Sequence, residues 1–194
     1  TVVSEIKRIQ EQYGRNAFAM LSGVSLSTEK SYLVGKFARV ALKTANLDYN
    51  GRLCMVSAGA GNKKAFGMDR SSNSWADLAH AEVIIITGAN ISECFPVLTY
   101  RIWEARDNGA KIIVIDPRVI PLARTADIHL PLRSGTDTAL MSTMLKVLID
   151  NDWLDHDFID NYTSGWEETA KTVEHCTLEW GEEITGVPKE LIYK

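Results

Sequence analysis

Cysteine is scarce in this chain of 194 residues, which carries three, at positions 54, 94 and 176, and no CxxC pair. A set so odd and so widely spaced excludes a disulfide framework and a zinc site built from local pairs, and it fits a reducing compartment. Histidine is as sparse. His80, His129, His156 and His175 match neither HExxH nor a facial triad, so each reads as structural or exposed rather than as a metal ligand. No apolar run approaches the roughly 20 residues of a membrane span. Basic residues are not in excess either, and a net charge of -4 gives no broad attraction for nucleic acid. Ser-His-Asp order, a nucleophile elbow, internal repeats and low-complexity segments are all missing. The chain starts at Thr1, with no initiator Met and no basic-then-apolar leader. It therefore reads as a fragment of a cytoplasmic protein, or of a periplasmic one whose export signal lies outside the segment.

What is present is an ordinary globular composition, 45% hydrophobic and 24% charged, in a length that predicts one domain or one domain with an appendage. Ile6 and Ile9 recur among charges between Ser4 and Tyr13 and predict an amphipathic helix stopped by Gly14. Phe18 to Leu21 reads as a brief buried strand. Thr28 reads as the N-cap of a second helix, with Tyr32, Leu33, Phe37, Val40 and Ala41 on one face and an end near Lys43. Residues 51–75 are rich in Gly, Ser and Asn without a period, which predicts a long irregular connection of functional character. Trp75, Trp103, Trp153, Trp166 and Trp180 read as packing residues, and Cys94 and Cys176 as core.

The middle of the chain carries the clearest pattern. Val83 to Ile86 form a continuous apolar run ended by Gly88, as expected of a central parallel strand buried on both faces. A helix follows, opened by Pro96 and closed by Gly109, and "KIIVIDP" then repeats the strand pattern. Strand, helix and strand form a crossover unit, the building block of a doubly wound sheet. "DIHLPL" predicts another short strand, and "SGTDTALMSTMLKVLIDN" a helix capped by Thr136 or Ser134 with Leu140, Met144, Val147 and Leu148 inward. From Trp153 onward, short helical patterns alternate with "TSGW" and "TGVP" breaks. The fold class is α/β, Rossmann-like, with a mainly parallel sheet and flanking helices.

Ligands of such sheets collect beyond the carboxyl ends of the strands, where helix-start amides lack partners. Those ends fall here at Thr87-Gly88-Ala89-Asn90, at Ile115-Asp116-Pro117-Arg118 and at Gly135-Thr136-Asp137. Gly88 permits a sharp turn toward a phosphate, with Asn90 and Ser92 adding hydrogen bonds. Asp116 is placed to accept from ribose hydroxyls, and Arg118 to answer a phosphate. Together these predict a nucleotide. The same residues also read as ordinary turn glycines and helix caps, and GANISE lacks the second and third glycines of GxGxxG. Cys54, in "GRLCMVSAGAG", reads first as a small buried hydrophobe. Its small neighbours nevertheless leave room for a bulky group, Lys63 and Lys64 are placed to lower its pKa, and a thiolate binds soft metals well.

Taken in order, "STEKSYLVGKFAR", "RLCMVSAGAG", "TGANISECFPVL", "VIDPR", "TADIHLPLRSGTDTAL" and "EEITGVP" resemble the catalytic subunit of the molybdopterin oxidoreductases. These are the bis(molybdopterin guanine dinucleotide) enzymes of the dimethyl sulfoxide reductase superfamily, which include nitrate reductases and formate dehydrogenases. The resemblance implies that residues 1–194 are a cofactor-binding region, with 80–150 the clearest nucleotide-binding part. It implies Cys54 as the molybdenum ligand. It places phosphate and guanosine contacts on Thr87, Gly88, Ala89, Asn90, Ile91, Ser92, Glu93 and Cys94, on Ile115, Asp116, Pro117, Arg118 and Val119, and on Gly135, Thr136 and Asp137, with Asp137 recognising the guanine. Formate dehydrogenases tend to carry His directly after the metal-binding residue, and nitrate reductases Met. Met55 therefore points to oxygen-atom transfer from nitrate, since a thioether cannot accept a proton at neutral pH, with formate dehydrogenase as the alternative. Family members are several times longer and carry an N-terminal cysteine motif for a [4Fe-4S] cluster, which this segment lacks. The implied partners are a small-molecule substrate, an electron-transfer partner and the rest of the same polypeptide. An NAD-binding domain and a noncatalytic interaction domain are the expectations from other classes.

Overall fold

The run Val83–Thr87 is a strand, β3, in the computed structural model, which describes residues 1–194. Two shorter strands precede it, β1 (Met20–Ser22) and β2 (Leu47–Tyr49), and two follow, β4 (Lys111–Ile115) and β5 (Ile128–Leu130). Every strand pairing is parallel, with helices between the strands, so the chain is α/β as expected. It divides into two units, Thr1–Ser72 and Asn73–Lys194.

In the first unit, α1 (Val2–Tyr13) is closed by a reciprocal cap between Thr1 and Ser4 and stopped at Gly14, whose φ of 88° suits glycine. Strands β1 and β2 pair from Met20 opposite Leu47 to Ser22 opposite Tyr49. The buried strand expected from Phe18 to Leu21 is displaced by one to two residues and is not buried, since Leu21 is exposed. Helix α2 (Thr28–Lys36) is capped by Ser27 rather than Thr28, and it runs into a π-helical turn at Phe37–Ala41. Tyr32, Leu33, Phe37 and Val40, the face that periodicity aims inward, are exposed. Residues 51–75 are not irregular: α3 (Gly51–Cys54) and α4 (Val56–Phe66) occupy most of them, with Gly67 in the left-handed conformation as the stop. Glycine weakens a helix without forbidding it, and Ala58, Ala60 and Ala65 favour one.

In the second unit the sheet order is β3-β4-β5. Helices α5 (Ile91–Cys94) and α6 (Pro96–Asp107) link β3 to β4, with Pro96 in the first turn of α6 as its fixed φ favours. Ile102 and Ala105 of α6 pack with Ile84, Ile86, Ile112 and Val114 on one face of the sheet. On the other face, α7 (Asp137–Asp150) and α11 (Lys189–Tyr193) bring Leu140 and Ile192 onto Ile115 and Leu130. Helices α8 (His156–Tyr162), α9 (Trp166–Thr172) and α10 (Leu178–Thr185) complete the unit. Of the α7 residues expected inward, Leu140 and Val147 are buried, Met144 is half-buried and Leu148 is exposed.

The expectation that β3 is central and covered twice is corrected. It is the edge strand, and Val83 and Ile85 are 55% and 47% exposed, because α7 and α11 cover only the β4 and β5 side of that face. The tryptophans are also less buried than expected: Trp75, Trp103 and Trp153 are exposed, and Trp166 and Trp180 half-buried. No helix is long and apolar enough to cross a membrane.

Candidate cofactor site

Register places Thr87 opposite Ile115 and Ile115 opposite Leu130, so the parallel strands of the larger sheet end in one row. Gly88 turns the chain there at φ 59°, and its N–H donates to the Ile115 carbonyl at 3.0 Å. Gly88 is therefore the hinge of the turn, and its own amide is already engaged. The amides of Ala89, Asn90, Ile91 and Ser92 have no protein acceptor, whereas those of Glu93 and Cys94 return to the Asn90 carbonyl. Asn90 stands at the start of α5 without capping it, and its Oδ1 is buried with no donor. An orphaned buried acceptor costs free energy unless a partner arrives. Free amides beside a free acceptor suit a ligand with an anionic group and a hydroxyl.

At the second end, Asp116 is 8% exposed. Its Oδ1 accepts from the Arg118 amide at 2.8 Å, a turn closed by the side chain, which leaves Oδ2 without a protein donor. His129 Nε2 lies 2.8 Å from the Asp116 carbonyl, as N–H donation requires, so β5 holds this turn from below. Pro117, Arg118 and Val119 are exposed beside it.

The third end follows β5. Thr136 stands at the N-cap of α7 as expected, but its hydroxyl donates to the Arg133 carbonyl at 2.6 Å and caps nothing. The amides of Asp137, Thr138 and Ala139 keep no protein acceptor, and Asp137 is exposed at the positive end of a 14-residue helix. Gly135, at φ 85°, occupies the position of a tight turn that glycine tolerates best.

Cys54 and Met55 lie in the first unit. Asn50 joins β2 to α3: its N–H donates to the Ser22 carbonyl at 3.2 Å, its Oδ1 accepts from the Val24 amide at 2.7 Å, and its carbonyl accepts from the Cys54 amide at 3.0 Å. Arg52 pairs with Asp48 at 2.8 Å, and that hydrogen bond holds the Asp48 carboxyl below its ordinary range. A Cβ on Gly51 would fall 2.2 Å from the Tyr49 ring, so α3 starts closer to β2 than any other residue allows. Cys54 itself is exposed. Met55 folds over Gly59, where a Cβ would stand 3.0 Å from Sδ and 2.7 Å from an Asp69 oxygen. No group of three or more His, Cys, Asp or Glu residues clusters as a metal site.

Cys94, expected in the core, is exposed, because α5 is a single turn lying on the rim of the sheet. Cys176 is buried, and desolvation pushes its thiol pKa up, which suits an inert packing residue. His129 has the structural role that its sequence reading gives it, holding the Asp116 carbonyl. Arg133 and Asn50 have no such reading: the guanidinium of Arg133 meets carbonyls 50 and 51 residues away and the Asn50 side chain meets a different loop, so no local pattern marks them.

The molybdopterin oxidoreductase family profile matches residues 1–183. The assimilatory nitrate reductase catalytic subunit of Bacillus subtilis (strain 168) is 40% identical over 96% of this chain and 26% of its own length. The F420-dependent formate dehydrogenase subunit alpha of Methanocaldococcus jannaschii is 38% identical over 98% of the chain and 28% of its own. Among solved structures, acetylene hydratase from Pelobacter acetylenicus superposes with a TM-score of 0.68 at 29% identity, covering 99% of this chain and 26% of that one. The chain spans about a quarter of the length of these relatives. With a family match over nearly its whole length, the chain belongs to the molybdopterin oxidoreductases.

Proposed function

We propose that this chain is a cofactor-binding segment of a molybdenum enzyme, that it holds bis(molybdopterin guanine dinucleotide), and that the parent protein reduces nitrate to nitrite. One observation carries the nucleotide part: the free amides of residues 89–92 meet the orphaned Asn90 Oδ1 at a row of strand ends. Phosphate oxygens accept from those amides, and a ribose hydroxyl donates to Asn90 or to Asp116 Oδ2. The Asp137 carboxylate accepts from the ring N–H and amino group of guanine, while Arg118 neutralises phosphate charge. The cofactor that the family implies fits this donor set. When bound, it supplies the two-electron chemistry by which nitrate loses an oxygen atom and becomes nitrite. Cys54 contributes a thiolate to the metal, and the small residues around it leave space for the ligand.

Nitrate is favoured over formate by Met55. Oxidation of formate needs a base near the substrate, and a thioether folded against Gly59 is not one. Formate oxidation is the second proposal, since formate dehydrogenase relatives match this chain about as well as nitrate reductase does. The hydratase superposition leaves the choice of reaction to the site rather than the fold. Electrons come from a [4Fe-4S] cluster and a redox partner belonging to the rest of the polypeptide or to another subunit. The deciding experiment is an assay of the full-length enzyme with nitrate and reduced viologen, and separately with formate and oxidised viologen, alongside molybdenum and guanine contents. Turnover of formate alone overturns the nitrate proposal, and a protein without guanine overturns the cofactor proposal.

A further inference from the structure

The motif "EEITGVP", Glu182 to Pro188, has no place in the site so far, yet it touches the turn that carries Asp137 through a single residue. Arg133 Nη1 donates to the carbonyls of Glu183 at 2.6 Å and Ile184 at 3.3 Å, at the end of α10, where carbonyls lack helical partners. The Arg133 amide donates to the Thr185 carbonyl at 2.8 Å. In the other direction, the Arg133 carbonyl accepts both the Thr136 amide at 3.2 Å and the Thr136 hydroxyl at 2.6 Å. Gly186, at φ 74°, gives the guanidinium its room, since a Cβ there would lie 3.1 Å from Nε. Thr185 is fully buried, donates its hydroxyl to Gly181 at 2.6 Å and receives the Val187 amide at 3.1 Å, so the far end of the link is fixed.

We infer that Arg133 and the Glu182–Pro188 turn form a brace that sets the position of the Asp137 carboxylate, making Arg133 a positioning residue for selection of the guanine base. This rests on the guanine role proposed above for Asp137. The turn needs a brace because Thr136 has given its hydroxyl to Arg133 and no longer caps α7: beyond the helical bond from the Leu140 amide to the Thr136 carbonyl, the hydrogen bonds that tie the turn to the chain before it end on the Arg133 carbonyl. Arg133 makes no ion pair with Asp137, as its cationic head lies on the α10 carbonyls. The carboxylate therefore remains free to accept from a base. An arginine at a helix end is also a common stabilising device, and the two roles separate by experiment.

Cofactor-free full-length protein is titrated with GMP and with IMP, which differ by the amino group that a well-placed carboxylate accepts from. The wild type prefers GMP, by roughly tenfold for one charge-assisted hydrogen bond. Arg133→Met keeps the stem on Gly186 but no donor, and its preference falls to near one while its Tm stays within a few degrees of wild type. Arg133→Lys, a cation without the planar fork, falls between. A wild-type GMP to IMP ratio in either folded variant overturns the proposal, and Arg133→Lys decides alone should the Met variant not fold. Asp137→Asn is the control. If it leaves the ratio unchanged, the assignment of Asp137 fails first and the brace with it. If it abolishes the preference while the Arg133 variants keep theirs, the brace alone fails.

Discussion

Cys54 is one exposed thiol presented by a four-residue helix. Its removal costs no packing, so Cys54→Ala in the full-length enzyme should abolish turnover while the guanine content stays close to wild type. Retained turnover rejects the ligand role. Asn90 yields the opposite signature. Its Oδ1 makes no protein hydrogen bond and caps no helix, so Asn90→Ala should leave the apo protein as stable as before or more stable. The variant should retain cofactor less well, by roughly 1–3 kcal/mol for the lost partner of a buried acceptor. Paired thermal melts of apo and loaded protein check this, and a loss confined to the apo form contradicts it. The place of Asn90 after a strand end was legible because an apolar run, a glycine and a following polar residue are adjacent in the chain. Arg133 was not, since its partners lie about 50 residues away.

At the scale of elements, periodicity locates β3, β4, β5, α6 and α7, whereas β1 is displaced by one to two residues and the three-residue β2 is too short to carry a pattern. Residues 51–75 were misread because glycine lowers helix propensity while tertiary packing overrides it, as at Gly51, where only a missing Cβ admits the Tyr49 ring. A similar contact joins α7 to α10: a Cβ on Gly181 would stand 2.5 Å from the buried Thr143 hydroxyl. Gly181→Ala should therefore destabilise by about 1–3 kcal/mol through overpacking, measured by denaturant unfolding, and should loosen the brace on Arg133. Between β4 and β5, Asp127 accepts the Ile112 amide and the Lys111 ammonium, each at 2.9 Å. The amide bond first and the Lys111 bond second hold its carboxyl below the ordinary range. That stabilisation is complete above the unfolded value of about 3.9 and is lost as pH falls through the lowered folded value. An Asp127→Asn variant should thus be weaker than wild type at neutral pH, with the gap closing in acid. A gap independent of pH would mean that ionisation of the Asp127 carboxyl contributes nothing to stability.

For the whole molecule, the informative disagreement is β3. Its apolar run is that of a strand covered on both faces, yet Val83 and Ile85 are exposed at the edge of the sheet. Residues on α2 and the π-helical turn after it behave alike, with Tyr32, Leu33, Phe37 and Val40 exposed. Exposed stripes of this kind mark interfaces, and relatives about four times as long contain ample chain to cover them. We propose that the remainder of the parent polypeptide packs on β3 and α2. Burying Ile85 would contribute about 1.5–3 kcal/mol, whereas a substitution at a solvated position moves stability by no more than about 0.5 kcal/mol. Ile85→Lys in the full-length protein should therefore lower the unfolding free energy by at least about 2 kcal/mol, because the ammonium would enter an apolar contact. The same change in a segment limited to residues 1–194 should be nearly neutral. Equal, small effects in both would place β3 at a solvated edge of the complete enzyme, and its second apolar face would then need a different cover, such as a partner subunit.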